Sequence, residues 1–135
     1  MAEKVRKEPG SIGYVDSQYA AAMNIAVAAV QNPAGRFVKA SRETLASACL
    51  AVETPGFDRL SASLINAPGA DSYPITSFSW LYLRTTSPDA GRAKFLANWL
   101  RWALTRGQQI AAQEGYTGLP ASLLANVKAK VDSLH

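Results

Sequence analysis

One cysteine and one histidine, Cys49 and His135, are the residues best suited to nucleophilic or metal chemistry. Catalysis of the Ser-His-Asp or Cys-His type needs a base held beside its nucleophile and oriented by a third group. His135 is the last residue of the sequence, and chain ends are seldom tied down, so it anchors neither a triad nor a metal site. Cys49 lies on the apolar stripe Leu45, Ala48, Cys49 and Val52, which predicts a buried structural thiol rather than a reactive one. A lone cysteine also excludes an internal disulfide. Oxygen-ligand metal sites need clustered carboxylates, whereas Asp16, Asp58, Asp71 and Asp89 are scattered without ligand spacing. The expectation is a protein that is not an enzyme and has no catalytic residue, no metal site and no cofactor.

Two further stretches suggest binding. PGSIG, Pro9 to Gly13, has the glycines of a phosphate-cradling loop but lacks the Gly-Lys-Ser/Thr ending. It also precedes a strand-type run, so no helix dipole would face an anion, and a plain turn is the expectation. KFLANWLRWALTR mixes Trp99 and Trp102 with Lys94, Arg101 and Arg106, a mixture that nucleic-acid binders also use. Its spacing is that of an ordinary amphipathic helix, with the tryptophans on or beside the apolar face and the arginines on the wet one. No nucleic-acid partner is expected.

The elements that must carry these residues follow from composition and spacing. At 135 residues and 48% hydrophobic content the chain can bury a core, and its 18% charged content separates it from disordered, charge-rich sequences. The net charge of +4 permits an anionic partner without requiring one. The opening MAEKVRKEPG has no apolar stretch, which predicts no signal peptide, and no run approaches the roughly 20 apolar residues of a membrane span, so no direct membrane insertion is expected. After a charged lead, SIGYV (Ser11 to Val15) is a strand-type run. Asp16 or Ser17 then caps a short helix through Tyr19, Ala20 and Met23. IAVAAV and RFVKA flank Asn32-Pro33-Ala34-Gly35 as a hairpin.

Ser41 caps a helix running to about Glu53 and stopped by Pro55-Gly56, and Leu60 to Ile65 alternates as a strand would. After the polar run Asn66 to Pro74, Ile75 to Leu83 predicts a strand with Phe78, Trp80 and Tyr82 on one face and Leu81 and Leu83 on the other. A strand apolar on both faces is normally central, between covering helices. Ser87-Pro88-Asp89 opens a helix, with Pro88 at its first position, that runs through Leu96, Trp99, Leu100, Ala103, Leu104 and Ile110 to Gly115. A last helix starts at Pro120 and repeats Leu123, Leu124, Val127, Val131 and Leu134. The order predicts an α/β layer structure: a mixed sheet with flanking helices and two helices at the C-terminal end.

PGSIGYVDSQYA, NPAGRFVKAS, NAPGADSYPITSFSWLYL and FLANWLRWALTRGQQIAAQEGYTGLP, in that order, carry a resemblance. Together, from about Pro9 to Val131, they resemble the C-terminal portion of the PstS family of periplasmic phosphate-binding proteins, which serve phosphate ABC transporters. The resemblance implies part of a type II periplasmic-binding-protein fold, in which two α/β lobes joined by crossing strands hold phosphate between them. It implies that residues 1–66 contribute to the second lobe, that 67–75 form the interlobe crossover, with Asp71, Ser72, Tyr73 and Pro74 at its centre, and that 76–135 contribute to the first lobe. Trp80, Trp99 and Trp102 are then core or interface residues, and the two-sided strand would be covered by sequence not contained here.

The family's phosphate contacts are backbone amides, hydroxyls and an arginine from both lobes, in upstream segments and an SGT-type loop. No Ser-Gly-Thr occurs in this sequence, so no phosphate ligand is carried over to any of its residues. The implied role is a non-catalytic, phosphate-binding-protein-like segment that binds inorganic phosphate only if the missing N-terminal part is supplied. Three forms of that role stay open. The chain is a piece of a larger binding protein, or an accessory or structural subunit docked on a larger assembly, or a unit that folds alone with self-association. Each of the last two calls for a protein partner, and the resemblance implies a periplasmic or cell-envelope location.

Overall fold

A computed structural model describes residues 1–52, 62–84 and 88–134. Two compact units divide the chain, residues 1–77 and residues 78–135.

In the first unit, α1 (Ala2–Lys7) is a short charged helix with a Glu3–Lys7 ion pair one turn apart. Then α2 (Ser17–Ala22) starts at Asp16, whose backbone carbonyl accepts from the amides of Tyr19 and Ala20. It ends where Asn24 takes a φ of 50° and the Ile25 amide returns to the Ala20 carbonyl, a left-handed cap that asparagine tolerates. The expected hairpin forms with β1 (Val30–Gln31) antiparallel to β2 (Phe37–Val38), Val30 opposite Val38 and Gln31 opposite Phe37. It is only two pairs deep, so most of IAVAAV lies outside the ladder.

The helix α3 (Arg42–Ala51) carries the predicted Ser41 cap. The Thr44 amide donates to Ser41 Oγ at 3.3 Å, and the Ser41 amide donates to Thr44 Oγ1 at 2.9 Å. Two otherwise orphaned donors are thereby satisfied reciprocally. The stop at Pro55-Gly56 lies outside the described residues. Small apolar side chains, Ala20, Val38, Ala48, Leu64 and Ala67, fill the interior of this unit.

The second unit is helical. Asp89 caps α4 (Ala90–Ala103) by accepting from the Arg92 amide at 2.9 Å, so Pro88 precedes the cap instead of opening the helix. The single helix expected through Ile110 is two, because α4 stops and α5 (Arg106–Gln113) restarts. Thr105 explains the break. Its hydroxyl donates to the Arg101 carbonyl at 2.7 Å, taking the acceptor that its own amide would use in a continuous helix, and that amide turns to Trp102. Gly115, at a φ of 90°, follows α5, and α6 (Ala121–Asp132) begins after Pro120. Leu100, Leu104 and Val131 are the buried centre, with Leu83, Leu96, Leu119, Leu124, Val127 and Leu134 packed around them. Arg101 reaches from α4 to Asp132 of α6 at 2.8 Å.

The helices and the small sheet fit an α/β fragment, but among the described residues three expected strands form no ladder. Ser11–Val15 is irregular, with Ile12 96% exposed, and residues 75–83 are also irregular. Of Leu60 to Ile65, residues 60 and 61 lie outside the described residues and the rest form no ladder. Propensity makes a segment willing to be a strand, yet a strand exists only when a neighbouring backbone pairs with its amides and carbonyls. Among the described residues the only ladder is β1–β2.

Candidate functional site

The most fully bonded polar constellation lies where the turn after β1 meets the loop 66–76. Asn32 begins the turn: its amide donates to the Arg36 carbonyl at 2.8 Å and its carbonyl accepts from Gly35 at 2.9 Å. Gly35 sits at a φ of 79°, which favours glycine there. Oδ1 of Asn32 accepts from the amides of Ala34 and Arg36 at 3.1 and 3.0 Å. The other end of the same side chain leaves the hairpin. Its Nδ2 donates to the carbonyls of Gly69, Ala70 and Ser72 at 3.2, 2.8 and 3.2 Å. One buried amide thus ties two segments together with its donors and acceptor all engaged.

The loop is closed on itself before it meets Asn32. The Asn66 amide donates to the Pro74 carbonyl at 2.9 Å, and Asn66 takes a φ of 53° to make that return. Ser72 is fully buried; its Oγ donates to the Pro68 carbonyl at 3.0 Å and lies 3.3 Å from the Ser47 hydroxyl on α3. A Cβ at Gly69 would stand 2.7 Å from that Oγ, so the close turn requires glycine. The Tyr73 amide donates to the Thr44 carbonyl of α3 at 3.1 Å, and Thr76 Oγ1 donates to the Tyr73 carbonyl at 2.8 Å. Asp71 is exposed and pairs with Arg36 at 2.9 Å, while Pro74 is buried. All peptide bonds among the described residues are trans, Tyr73–Pro74 included.

The structure therefore brings Asp71, Ser72, Tyr73 and Pro74 together with Asn32, Arg36, Thr44 and Ser47. It does not gather the tryptophans into a core. Trp80, Trp99 and Trp102 are 37%, 46% and 48% exposed, and Trp80 meets only the edge of Phe78, at a ring separation of 5.5 Å, among the ring contacts of the described residues. On α4 the interior is taken by Leu96, Ala97 and Leu100, and the two tryptophans project from another face of the helix.

Two titrating groups are displaced. Hydrogen bonding from the Ser41 hydroxyl, at 2.7 Å, and from its own amide holds the Glu43 carboxyl below its usual range. Burial pushes the Cys49 thiol up, although the side chain is half-buried rather than buried as expected. Among the described residues no group of three or more His, Cys, Asp or Glu side chains could hold a metal ion. The side-chain donors of Asn32 and Ser72 are engaged by protein carbonyls, so the arrangement ties the loop 66–76 to the turn after β1.

No family model matches the chain. It is 30% identical to the phosphate-binding protein PstS of Xylella fastidiosa over 129 residues, covering 96% of this chain and 35% of that protein. The PstS of Haemophilus influenzae is 32% identical over 130 residues, 96% of this chain and 39% of that protein. The PstS of Methanocaldococcus jannaschii is 33% identical over 129 residues, 86% of this chain and 33% of that protein. The chain is a PstS-like portion. It spans between 33% and 39% of the length of these curated relatives, which is consistent with the C-terminal placement implied by its motifs.

Within this PstS-like portion, Asn32 is the residue that sequence reasoning passed over. The Asn-Pro-Ala-Gly pattern announces a turn and an asparagine able to bond its own backbone two residues on. Nothing local announces acceptors 37 to 40 residues away.

Proposed function

We propose that this chain is a non-catalytic segment of a phosphate-binding protein of a phosphate ABC transport system, acting in the periplasm or cell envelope. On this reading residues 1–66 and 76–135 belong to two different lobes, and residues 67–75 are the crossover between them. The observation that carries the reading is the similarity to PstS along 96% of the chain at about a third of each relative's length. The division of the chain into units at residue 77, just after the clasped loop, supports the crossover assignment.

Phosphate is held by this chain only together with the part of a PstS-like protein that it does not match. A tetrahedral anion needs several donors converging on one point, and in the bonded loop the side-chain donors of Asn32 and Ser72 are already taken by protein carbonyls. Basic side chains on a surface give attraction that is screened beyond about 8 Å at physiological salt. Titration calorimetry of the 135-residue chain with inorganic phosphate tests this. The expected result is no saturable binding in the micromolar range, and micromolar binding by a monomer overturns it.

A second reading, an accessory subunit docked on a larger assembly, is favoured by the exposed aromatic side chains of α4. The mass of the species isolated from its native source separates the two. A heavier single polypeptide carrying these residues supports the first reading, and a 14.4 kDa chain recovered with another protein supports the second.

A further inference from the structure

Residues 78–83 have the composition of a strand and no strand to pair with. No charged side chain lies between Asp71 and Arg84. Among the described residues no hydrogen bond involves the backbone of Ser79, Trp80, Leu81 or Tyr82, and the unit that holds them contains no strand. Their side chains are open to solvent as well, with Leu81 56% and Tyr82 72% exposed. Unpaired backbone groups beside exposed apolar side chains are a template for pairing with another chain.

We propose that residues 78–82 are a self-association surface, occupied by the same residues of a second copy of this chain in an antiparallel ladder centred on Trp80. The inference does not rest on the proposed function. The order of side chains selects the occupant, because the stretch is its own complement. Directly opposed side chains of a ladder share a face. With Trp80 opposite Trp80 of the second copy, Phe78 falls opposite Tyr82 at both ends, and three aromatic pairs line one face. Ser79 falls opposite Leu81 on the other face. A slip of one residue would set the rings against serine and leucine instead. Charge selects the direction. A parallel, in-register pair would bring the two Arg84 side chains to the strand spacing of about 5 Å, whereas the antiparallel pair sets them eight residues apart, roughly 27 Å along the ladder.

Sedimentation of the full 135-residue chain over a range of concentrations is the first measurement. Two strands by themselves are marginal in water, so a weak dimer is expected, its mass climbing from 14.4 kDa towards twice that value as concentration rises. Trp80→Lys sets two ammonium groups opposite one another and should weaken the dimer at least tenfold while helical circular dichroism is kept. Disulfide trapping reads the register in a Cys49→Ala background, which leaves no other thiol. A mixture of Ser79→Cys and Leu81→Cys chains should cross-link under mild oxidation, because the ladder places these two residues opposite one another at a Cα spacing of about 5 Å. Either variant by itself should cross-link far less, since its two thiols stand two residues out of register. A mass of 14.4 kDa at every concentration, the result expected if only the rest of a PstS-like polypeptide can occupy the stretch, overturns the proposal. So does a Trp80→Lys chain that keeps its fold and dimerises as well as the parent, or an assembly in which the mixture cross-links no better than either variant alone. None of these readouts involves phosphate, so their failure leaves the proposed function standing.

Discussion

Asn32 Nδ2 donates to the Ser72 carbonyl at 3.2 Å, across forty residues of sequence and from inside the protein. The bond joins a turn, which local chemistry specifies, to a loop whose course local chemistry leaves open. The bonds to Gly69 and Ala70 beside it make the contact a clasp on three carbonyls of the loop.

Replacing Asn32 with alanine is expected to destabilise the first unit by about 1–3 kcal/mol, the range for leaving buried polar groups without a partner. Asn32→Asp should be worse at neutral pH, because a carboxylate oxygen would face three carbonyls where an amide now donates. Arg36→Ala removes an exposed ion pair with Asp71 and should cost at most about 1 kcal/mol. Urea denaturation of the three variants checks the order. Equal losses for Asn32→Ala and Arg36→Ala would show that the clasp is incidental.

Ser41→Ala should cost about 1 kcal/mol, since it removes the hydroxyl that caps α3. The same change removes the largest influence holding the Glu43 carboxyl low, so the Glu43 pKa should rise. A carboxyl depressed by folding favours the native state above its unfolded pKa, and that contribution is lost as pH falls through the folded one. The carboxylate is exposed, so the signal is sought by NMR titration of Glu43 and not in bulk stability. An unmoved Glu43 titration in Ser41→Ala would mean the hydroxyl does not act on it.

The parts of the fold legible in the sequence are those made by neighbours. The Ser41 cap, the turn at Asn32 to Gly35, and the apolar repeat Leu124, Val127, Val131 of α6 all form as spacing implies, because each is decided within a few residues. Ser11–Val15 and Ile75–Leu83 have strand composition but no ladder, because pairing depends on a second backbone that composition does not reveal. The α4–α5 break was hidden for a different reason: Thr105 suits a helix by position and ends one through its hydroxyl. The crossover role proposed for Asp71 to Pro74 rests on likeness to known proteins alone, and the pattern around Asn32 announces a turn but not its bonds to Gly69, Ala70 and Ser72.

Leu100→Ala is expected to cost about 2–5 kcal/mol, because it opens a cavity at the centre of the α4–α6 packing. Trp99→Ala in the same chain should cost about 1 kcal/mol, since half of the side chain is already in water. The larger side chain is therefore expected to matter less, an inversion that thermal or urea denaturation resolves readily. A loss at Trp99 matching that at Leu100 would show that the tryptophan is buried in solution.

Cys49 supplies a pH dependence whose sign is fixed by its surroundings. Burial disfavours the thiolate and raises the thiol pKa in the folded state. The unfolded chain then loses its proton first as pH rises. The contribution to stability is complete below the unfolded thiol pKa and is lost as pH climbs through the raised, folded one. Two measurements follow. Alkylation by iodoacetamide should be slower in the native chain than in urea at the same mildly alkaline pH, because the thiolate is the nucleophile. The decline in urea midpoint over the alkaline range should also be shallower in Cys49→Ala than in the parent, comparing slopes so that any cavity left by the substitution cancels. Native and unfolded alkylation at the same rate, together with parallel slopes, would mean that Cys49 meets water freely and that the apolar stripe of α3 does not shield it.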